Sequence, residues 1–273
     1  MGHTMPSLSS SLLALTVTCS AALPAVAAPG PGTSDPATTG AVQRPIIGTI
    51  RWDAWHRPRT ADEPGGAGGP VMAMMESLGP KRYQHRLPFF AEILSDEAVR
   101  IGGYTQDIMD QEIAFAARGG LDYWAFLLYE EGTAMSDGLM FYRSSTHKSE
   151  VSFCVITSPN TFGAAEAFRE RMQRVVALVS EPTYQLVAGG RPLVYLFNVS
   201  DDWLNAWGGE ANTRVLFDAF RAAVRAAGGD EPYLVVMDFS ADHGKKVADA
   251  VGATALSSYA APGAVGEGAP FRD

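Results

Sequence analysis

The chain has 273 residues, of which 47% are apolar and 19% charged, and 30 acidic against 21 basic side chains give a formal net charge of −9. A chain of this length and composition buries a core large enough to fold without disulfides, which excludes disordered, collagen-like and disulfide-framework proteins. The acidic balance argues against nucleic acid as a partner, because neutralising phosphates requires a basic face.

The N-terminus is predicted to be a secretory signal peptide over residues 1–27. Residues 5–28 carry no charged side chain, and their apolar stretch, 12–23, is too short to span a bilayer. The small residues Ala25-Val26-Ala27 then form an A-x-A-like cleavage site. We therefore expect a secreted, periplasmic or extracellular protein without stable membrane insertion after cleavage; a membrane anchor is the alternative.

Residues 28–44 are rich in Pro, Gly, Thr and Ala, so we predict a disordered leader before a single domain over 45–273. Within that domain, nearly continuous apolar runs predict strands at 45–52, 121–129, 151–157, 191–198, 232–239 and 255–260. The intervening helical patterns begin at Thr105, a candidate N-cap, and then cover 163–180, 212–227 and 241–251. Runs without clean alternation are typical of a parallel sheet covered on both faces.

Alternating strands and helices favour either a doubly wound sheet or a barrel. A dinucleotide-binding sheet would carry G-x-G-x-x-G after its first strand, but here that strand continues into Trp52-Asp53-Ala54-Trp55. We therefore predict the α/β class and a (β/α)₈ TIM-barrel-like fold, with about six of its eight βα units in this chain. The barrel is expected to be incomplete.

Motifs for metal or cofactor chemistry are missing from the sequence. It contains no H-E-x-x-H, G-x-S-x-G or C-x-x-C, and its five histidines lack paired ligand spacing. We therefore predict no metal site and no cofactor. Cys154 lies in an apolar run and is interpreted as a buried structural residue.

Carboxylates, amides and aromatic rings follow the predicted strands, at the end that carries catalysis in (β/α) barrels. Such residues suit a carbohydrate, because rings stack on the apolar face of a sugar while polar groups hold its hydroxyls. Trp52 and Trp124, inside strand runs, are interpreted as core. The candidate substrate-binding residues are Asp53, Trp55, Tyr129, Glu130, Asn160, Asn198 and Asp238.

Four segments resemble the glycoside hydrolase family 99-like group, which is related to the endo-mannosidases and the WbsX-type polysaccharide-biosynthesis proteins. They are IIGTIRWDAW, GPKRYQHRLPFFAE, YTQDIMDQEIAFAARGGLDYWAFLLY and GGRPLVYLF, within residues 45–197. The run Gln84-His85-Arg86-Leu87-Pro88 is similar to the group's Q-P-R-L-P segment, with His85 in place of Pro. The resemblance implies a (β/α)₈ barrel, activity on glycans and no metal cofactor.

The chain departs from the group at the catalytic segment. The W-x-E-W-x-E-like sequence that holds the group's carboxylates has no counterpart here, because Trp203 and Trp207 lack glutamates at that spacing. The catalytic residues are therefore unknown, and the acid/base pair is expected beyond residue 273. We predict a secreted glycan-processing protein similar to glycoside hydrolases; the alternative is a non-catalytic carbohydrate-binding protein or an inactive fragment.

Overall fold

The computed structural model describes residues 44–63 and 67–259, and its elements lie in the unit that runs from Pro45 to Asp273. The predicted signal peptide and the predicted leader up to residue 43 lie outside the described residues, as does the segment after residue 259. None of the described helices combines the length and apolar character that crossing a bilayer requires.

Nine strands and eight α-helices make up the described part of the chain. The strands are β1 (Gly48–Arg51), β2 (Glu92–Ser95), β3 (Ala98–Arg100), β4 (Tyr123–Leu127), β5 (Ser152–Thr157), β6 (Leu186–Val187), β7 (Arg191–Phe197), β8 (Tyr233–Asp238) and β9 (Ala255–Ser258). The helices are α1 (Pro70–Leu78), α2 (Gln106–Arg118), α3 (Asp137–Ser144), α4 (Pro159–Phe162), α5 (Ala165–Val179), α6 (Asp201–Ala206), α7 (Gly209–Ala226) and α8 (Ala241–Val251). Short 3₁₀ turns cover Lys81–Arg86, Ala134–Ser136 and Lys148–Glu150.

The main sheet contains the six predicted strands as parallel neighbours in the order β1-β4-β5-β7-β8-β9. This order follows the chain, so every crossover advances in one direction, whereas a doubly wound sheet reverses direction at its centre. The fold is therefore a six-unit portion of a (β/α)₈ TIM-barrel-like architecture, as predicted. The short β6 pairs antiparallel with β7, and β2 and β3 form a separate hairpin.

The main sheet is curled: its two end strands, β1 and β9, line the same small cavity. Gly48 and Ile50 of β1 line this space of about 150 Å³ together with Ser257 of β9. Tyr123 and Tyr195 lie in the same lining, and their hydroxyls are 3.1 Å apart. We call this side of the sheet the concave face.

The opposite face of the sheet packs against the helices and forms the main core. Trp124 and Phe126 of β4 are buried there, and Arg51 lies over the Trp124 ring with its guanidinium carbon 4.6 Å from the ring centroid. The expectation that Trp124 belongs to the core is confirmed. The same expectation for Trp52 is wrong: this residue is 45% exposed, because it follows β1, which is an edge strand of the sheet.

Helix boundaries follow local capping signals where the sequence shows them. Thr105 caps α2, its hydroxyl accepting a hydrogen bond from the Ile108 N–H at 3.3 Å, and α8 has the predicted bounds. By contrast, α5 begins at Ala165, two residues later than predicted, because Gly163 adopts a left-handed φ of 70° that a helix cannot contain.

A small satellite unit between β1 and α2 was not assigned from the sequence. Its helix α1 packs on the β2–β3 hairpin around the buried residues Val71, Val99 and Ile101. Trp55 packs against this cluster. The hairpin strands are exposed for most of their length, so they carry no long apolar run that a sequence pattern would reveal.

Candidate functional site

A cleft of about 1040 Å³ opens at the carboxyl ends of β4, β5 and β7. Parallel strands end on the same edge of a sheet, so the loops that follow them contribute to one surface. The side chains that give the cleft its chemistry are Tyr129, Glu130, Glu131, Asn160, Glu170, Arg171, Arg174, Phe197, Asn198 and Trp203.

Four of the seven predicted substrate-binding residues meet in this cleft. Tyr129 and Glu130 follow β4, Asn160 lies in α4 after β5, and Asn198 follows β7. The structure brings them together because each comes directly after a strand of the same parallel sheet. Their roles toward a ligand stay predictions.

Asn198 has a backbone conformation that is uncommon for a residue with a side chain. Its φ is 57°, in the left-handed region that asparagine tolerates better than most residues. The turn at Asn198 leads into α6, where the Ser200 hydroxyl accepts a hydrogen bond from the Trp203 N–H at 3.4 Å. This cap begins the helix that carries Trp203 into the cleft lining.

Sequence reasoning missed the contribution of α5 and of Trp203 to the cleft. The arginines of α5 form the polar side of an amphipathic helix, a pattern that is most often a solvated face. In the structure Arg171 and Arg174 line the cleft, and the Arg174 Nε donates a hydrogen bond to Glu131 Oε1 at 3.2 Å. The position of α5 above the end of β5 depends on tertiary packing, which no local signal reveals.

The charges in the cleft are mixed rather than of one sign. Glu130, Glu131 and Glu170 share its lining with three arginines, Arg59, Arg171 and Arg174. A surface that interleaves hydrogen-bond donors and acceptors suits a neutral, polyhydroxylated ligand better than a highly charged one.

Asp53 and Trp55 do not reach the cleft lining. Asp53 is 4% exposed, and its Oδ1 accepts a hydrogen bond from Arg51 Nε at 2.7 Å and lies 3.1 Å from His56 Nε2. Arg51 Nη2 also donates a hydrogen bond to Glu112 Oε2 at 2.6 Å. Arg51 therefore links Asp53, which follows β1, to α2. Burial alone raises the pKa of Asp53, but Arg51 and His56 outweigh it and lower that pKa below its usual range.

Asp238 lies at the end of β8, beside the cleft rather than in its lining. Its Oδ2 is 2.8 Å from His243 Nδ1, and its Oδ1 accepts a hydrogen bond from the Ser240 N–H at 2.9 Å. The other imidazole nitrogen, Nε2, is 3.6 Å from Asp201 Oδ1. Asp238 and Asp201 together orient the imidazole of His243 at the carboxyl edge of the sheet.

Neither a metal centre nor a reactive thiol emerges from the described residues. They contain no group of three or more His, Cys, Asp or Glu side chains placed to hold a metal ion. Cys154 is fully buried in β5, and burial raises the pKa of its thiol well above the usual range. Such a thiol is protonated at neutral pH and therefore a poor nucleophile.

Glu63 fastens the loop after β1 to the segment that follows β4. Its carboxylate pairs with Arg57 and accepts hydrogen bonds from the Ala134 N–H at 2.6 Å and the Thr60 N–H at 3.2 Å. The hydrogen bond from Arg57, followed by that from Ala134, lowers the pKa of Glu63 to about 2. Glu63 is therefore ionised in the folded protein at every pH above that value.

The lowered pKa of Glu63 predicts acid sensitivity. An unfolded glutamate has a pKa of about 4.3, so Glu63 stabilises the fold above that pH, and this contribution is lost as the pH falls toward 2. We expect Glu63→Gln to flatten the decline of the free energy of unfolding between about pH 5 and pH 2, measured by urea denaturation. Glu92→Gln, at an exposed carboxylate, is the control; equal slopes in Glu63→Gln and wild type would contradict the prediction.

No protein-family model and no curated protein matches the chain. Among solved structures, it is similar to the GH99 endo-alpha-mannosidase from Bacteroides thetaiotaomicron, with a TM-score of 0.48 and 13% identity over 79% of this chain and 60% of that one. A second structure of that enzyme, in complex with BIS-TRIS-propane, has a TM-score of 0.40 and 15% identity over 59% and 48% of the two chains. The chain thus spans less than two thirds of the length of either structure.

Proposed function

We propose that the protein is a secreted, glycan-processing protein similar to glycoside hydrolases, and that it binds an oligo- or polysaccharide in the cleft at the ends of β4, β5 and β7. The observation that carries this proposal is the composition of the cleft lining. Aromatic rings, amides and carboxylates share one concave surface: Tyr129, Phe197, Trp203, Asn160, Asn198, Glu130, Glu131 and Glu170.

This combination matches the two surfaces of a sugar ring. The C–H groups on one face of a pyranose pack against an aromatic ring, whereas its hydroxyls need both donors and acceptors. Asn160 and Asn198 supply both, and the glutamates accept. The volume of about 1040 Å³ lies at the upper end of the range for small-molecule pockets and leaves room for more than one sugar unit.

Two sequence features support the same proposal. Residues 45–197 resemble the glycoside hydrolase family 99-like group, whose members act on glycans. The predicted signal peptide over residues 1–27 would bring the protein to the compartment where polysaccharides are exposed. Hydrolysis would require two carboxyl groups that flank the scissile bond, and no described residue is assigned to that pair.

Calorimetric titration with manno-, gluco- and xylo-oligosaccharides of four to six units tests the proposal. We expect saturable binding of at least one series, and we expect Trp203→Ala to weaken it about tenfold, or about 1.4 kcal/mol, because a stacking ring is lost. Asn205→Ala, on the same helix but outside the cleft lining, should bind like wild type. Failure of all three series to bind, or unchanged affinity in Trp203→Ala, would refute the proposal.

The same titrated samples separate processing from binding alone. A rise in reducing ends during incubation would support a glycoside hydrolase-like activity. Saturable binding with no increase in reducing ends would restrict the activity of this chain to carbohydrate binding.

A further inference from the structure

The carboxyl edge of the concave face carries three aromatic rings that pack against one another. The lining of the small cavity on this face includes Tyr195 of β7, Met237 of β8 and Ser257 of β9. Side chains alternate between the faces of a strand, so the residues two positions further along face the same side, nearer the edge. These residues are Phe197, Phe239 and Tyr259.

Contacts between the rings confirm this placement. The ring centroid of Phe197 is 4.9 Å from that of Tyr259 and 5.6 Å from that of Phe239, and the latter two are 5.4 Å apart. Phe239 is 48% exposed and Tyr259 is 45% exposed, so the group presents about half of two rings to the surroundings. We call these three residues the aromatic platform.

The platform is continuous with the cleft. Phe197 belongs to both, because its ring packs with the platform and also lines the cleft. A ligand chain that fills the cleft could therefore extend onto the platform without a break.

The pair of Asp238 and His243 does not border the platform. Side chains alternate along β8, so Asp238 faces α8, where it lies against Gly244, while Phe239 faces the concave side. The platform therefore offers stacking to a ring that continues from the cleft.

We propose that the aromatic platform is a second carbohydrate subsite, which stacks one pyranose ring of a glycan whose neighbouring units occupy the cleft. This inference rests on the proposed function and adds the requirement that the preferred ligand is a chain of several units. The site is an extension that a disaccharide confined to the cleft does not reach.

Affinity as a function of chain length tests this subsite. The probes are ladders of manno- and gluco-oligosaccharides from two to six units, titrated into the full chain. We expect Phe239→Ala to weaken binding of the hexasaccharide about five- to tenfold and to leave the disaccharide within about twofold. Phe115→Ala, at an equally exposed ring outside the cleft, should change neither affinity.

The outcomes distinguish this inference from the proposed function. If wild type binds the ladders but Phe239→Ala affects all lengths equally or none, the subsite is refuted while the cleft proposal stands. If wild type binds none of the oligosaccharides, the proposed function is refuted, and the subsite with it. If wild type self-associates in sedimentation experiments and Phe239→Ala abolishes this, a second copy covers the platform and the subsite is refuted.

Discussion

Replacing Asp53 by Asn is expected to lower the free energy of unfolding by about 3 kcal/mol, because it removes one partner from a buried charge group. The carboxylate is the shared acceptor of Arg51 and His56, and all three side chains are almost inaccessible to water. The loss leaves the Arg51 guanidinium buried with Glu112 as its remaining anionic partner. The space around Asp53 offers no room for relaxation, since Gly138 of α3 lies directly against its carboxylate.

Denaturant unfolding of matched variants measures this effect. Asp96→Asn removes a carboxylate of the same type from an ion pair with Lys81 at the surface, where both side chains are largely exposed. Such a pair contributes about 0–1 kcal/mol, so Asp96→Asn should unfold close to wild type. Coincident unfolding midpoints for the two variants would show that the buried group contributes no more than a surface pair.

The pH dependence of stability gives a second readout for Asp53. Its pKa in the folded protein is lowered, so its stabilising contribution is present above the unfolded pKa of about 3.9 and is lost as the pH falls below it. We expect wild type to lose more stability than Asp53→Asn between about pH 5 and pH 3. The difference in free energy of unfolding between wild type and Asp53→Asn should therefore become smaller as the pH falls.

Replacing Trp207 by Ala is expected to cost about 3–5 kcal/mol of unfolding free energy. The ring is fully buried between α5 and α7, with its centroid 6.0 Å from that of Phe168 and 5.5 Å from that of Phe217. Its indole N–H donates a hydrogen bond to the Gly163 carbonyl at 2.8 Å. Gly163 lines the cleft, so this bond also anchors part of the cleft wall.

Two further variants divide this cost into packing and hydrogen bonding. Trp207→Phe keeps most of the ring but leaves the Gly163 carbonyl unpaired, and should cost about 1–3 kcal/mol. Trp52→Ala removes the same side chain from an exposed position and should cost the least of the three. Thermal and urea unfolding would contradict the prediction if Trp207→Ala proved no less stable than Trp52→Ala.

The architecture of the main sheet could be predicted because buried parallel strands leave a strong local signal. All six predicted strands are present with ends within about three residues of the expected ones, and α8 has the predicted bounds. Burial makes each strand an apolar run, and the short crossovers make strand order follow chain order. The satellite unit of α1, β2 and β3 escaped prediction, because its mostly exposed strands have no such run.

The candidate site could be predicted only in part, for a related reason. Position after a strand is a property of the sequence, and it was sufficient to bring Tyr129, Glu130, Asn160 and Asn198 to one edge. Asp53 also follows a strand, yet its side chain is directed into the ion group with Arg51, and no pattern distinguishes these two directions.

By itself, the sequence determined the strands, their parallel arrangement and the edge on which polar side chains collect. Only the tertiary structure decided which of those side chains share a cleft, that the arginines of α5 line it, and that Phe197, Phe239 and Tyr259 pack against one another. The physical reason is the separation along the chain between the residues involved. Local patterns report whether a residue avoids water, whereas the meeting of side chains from distant segments depends on how the whole sheet curls and how its helices pack.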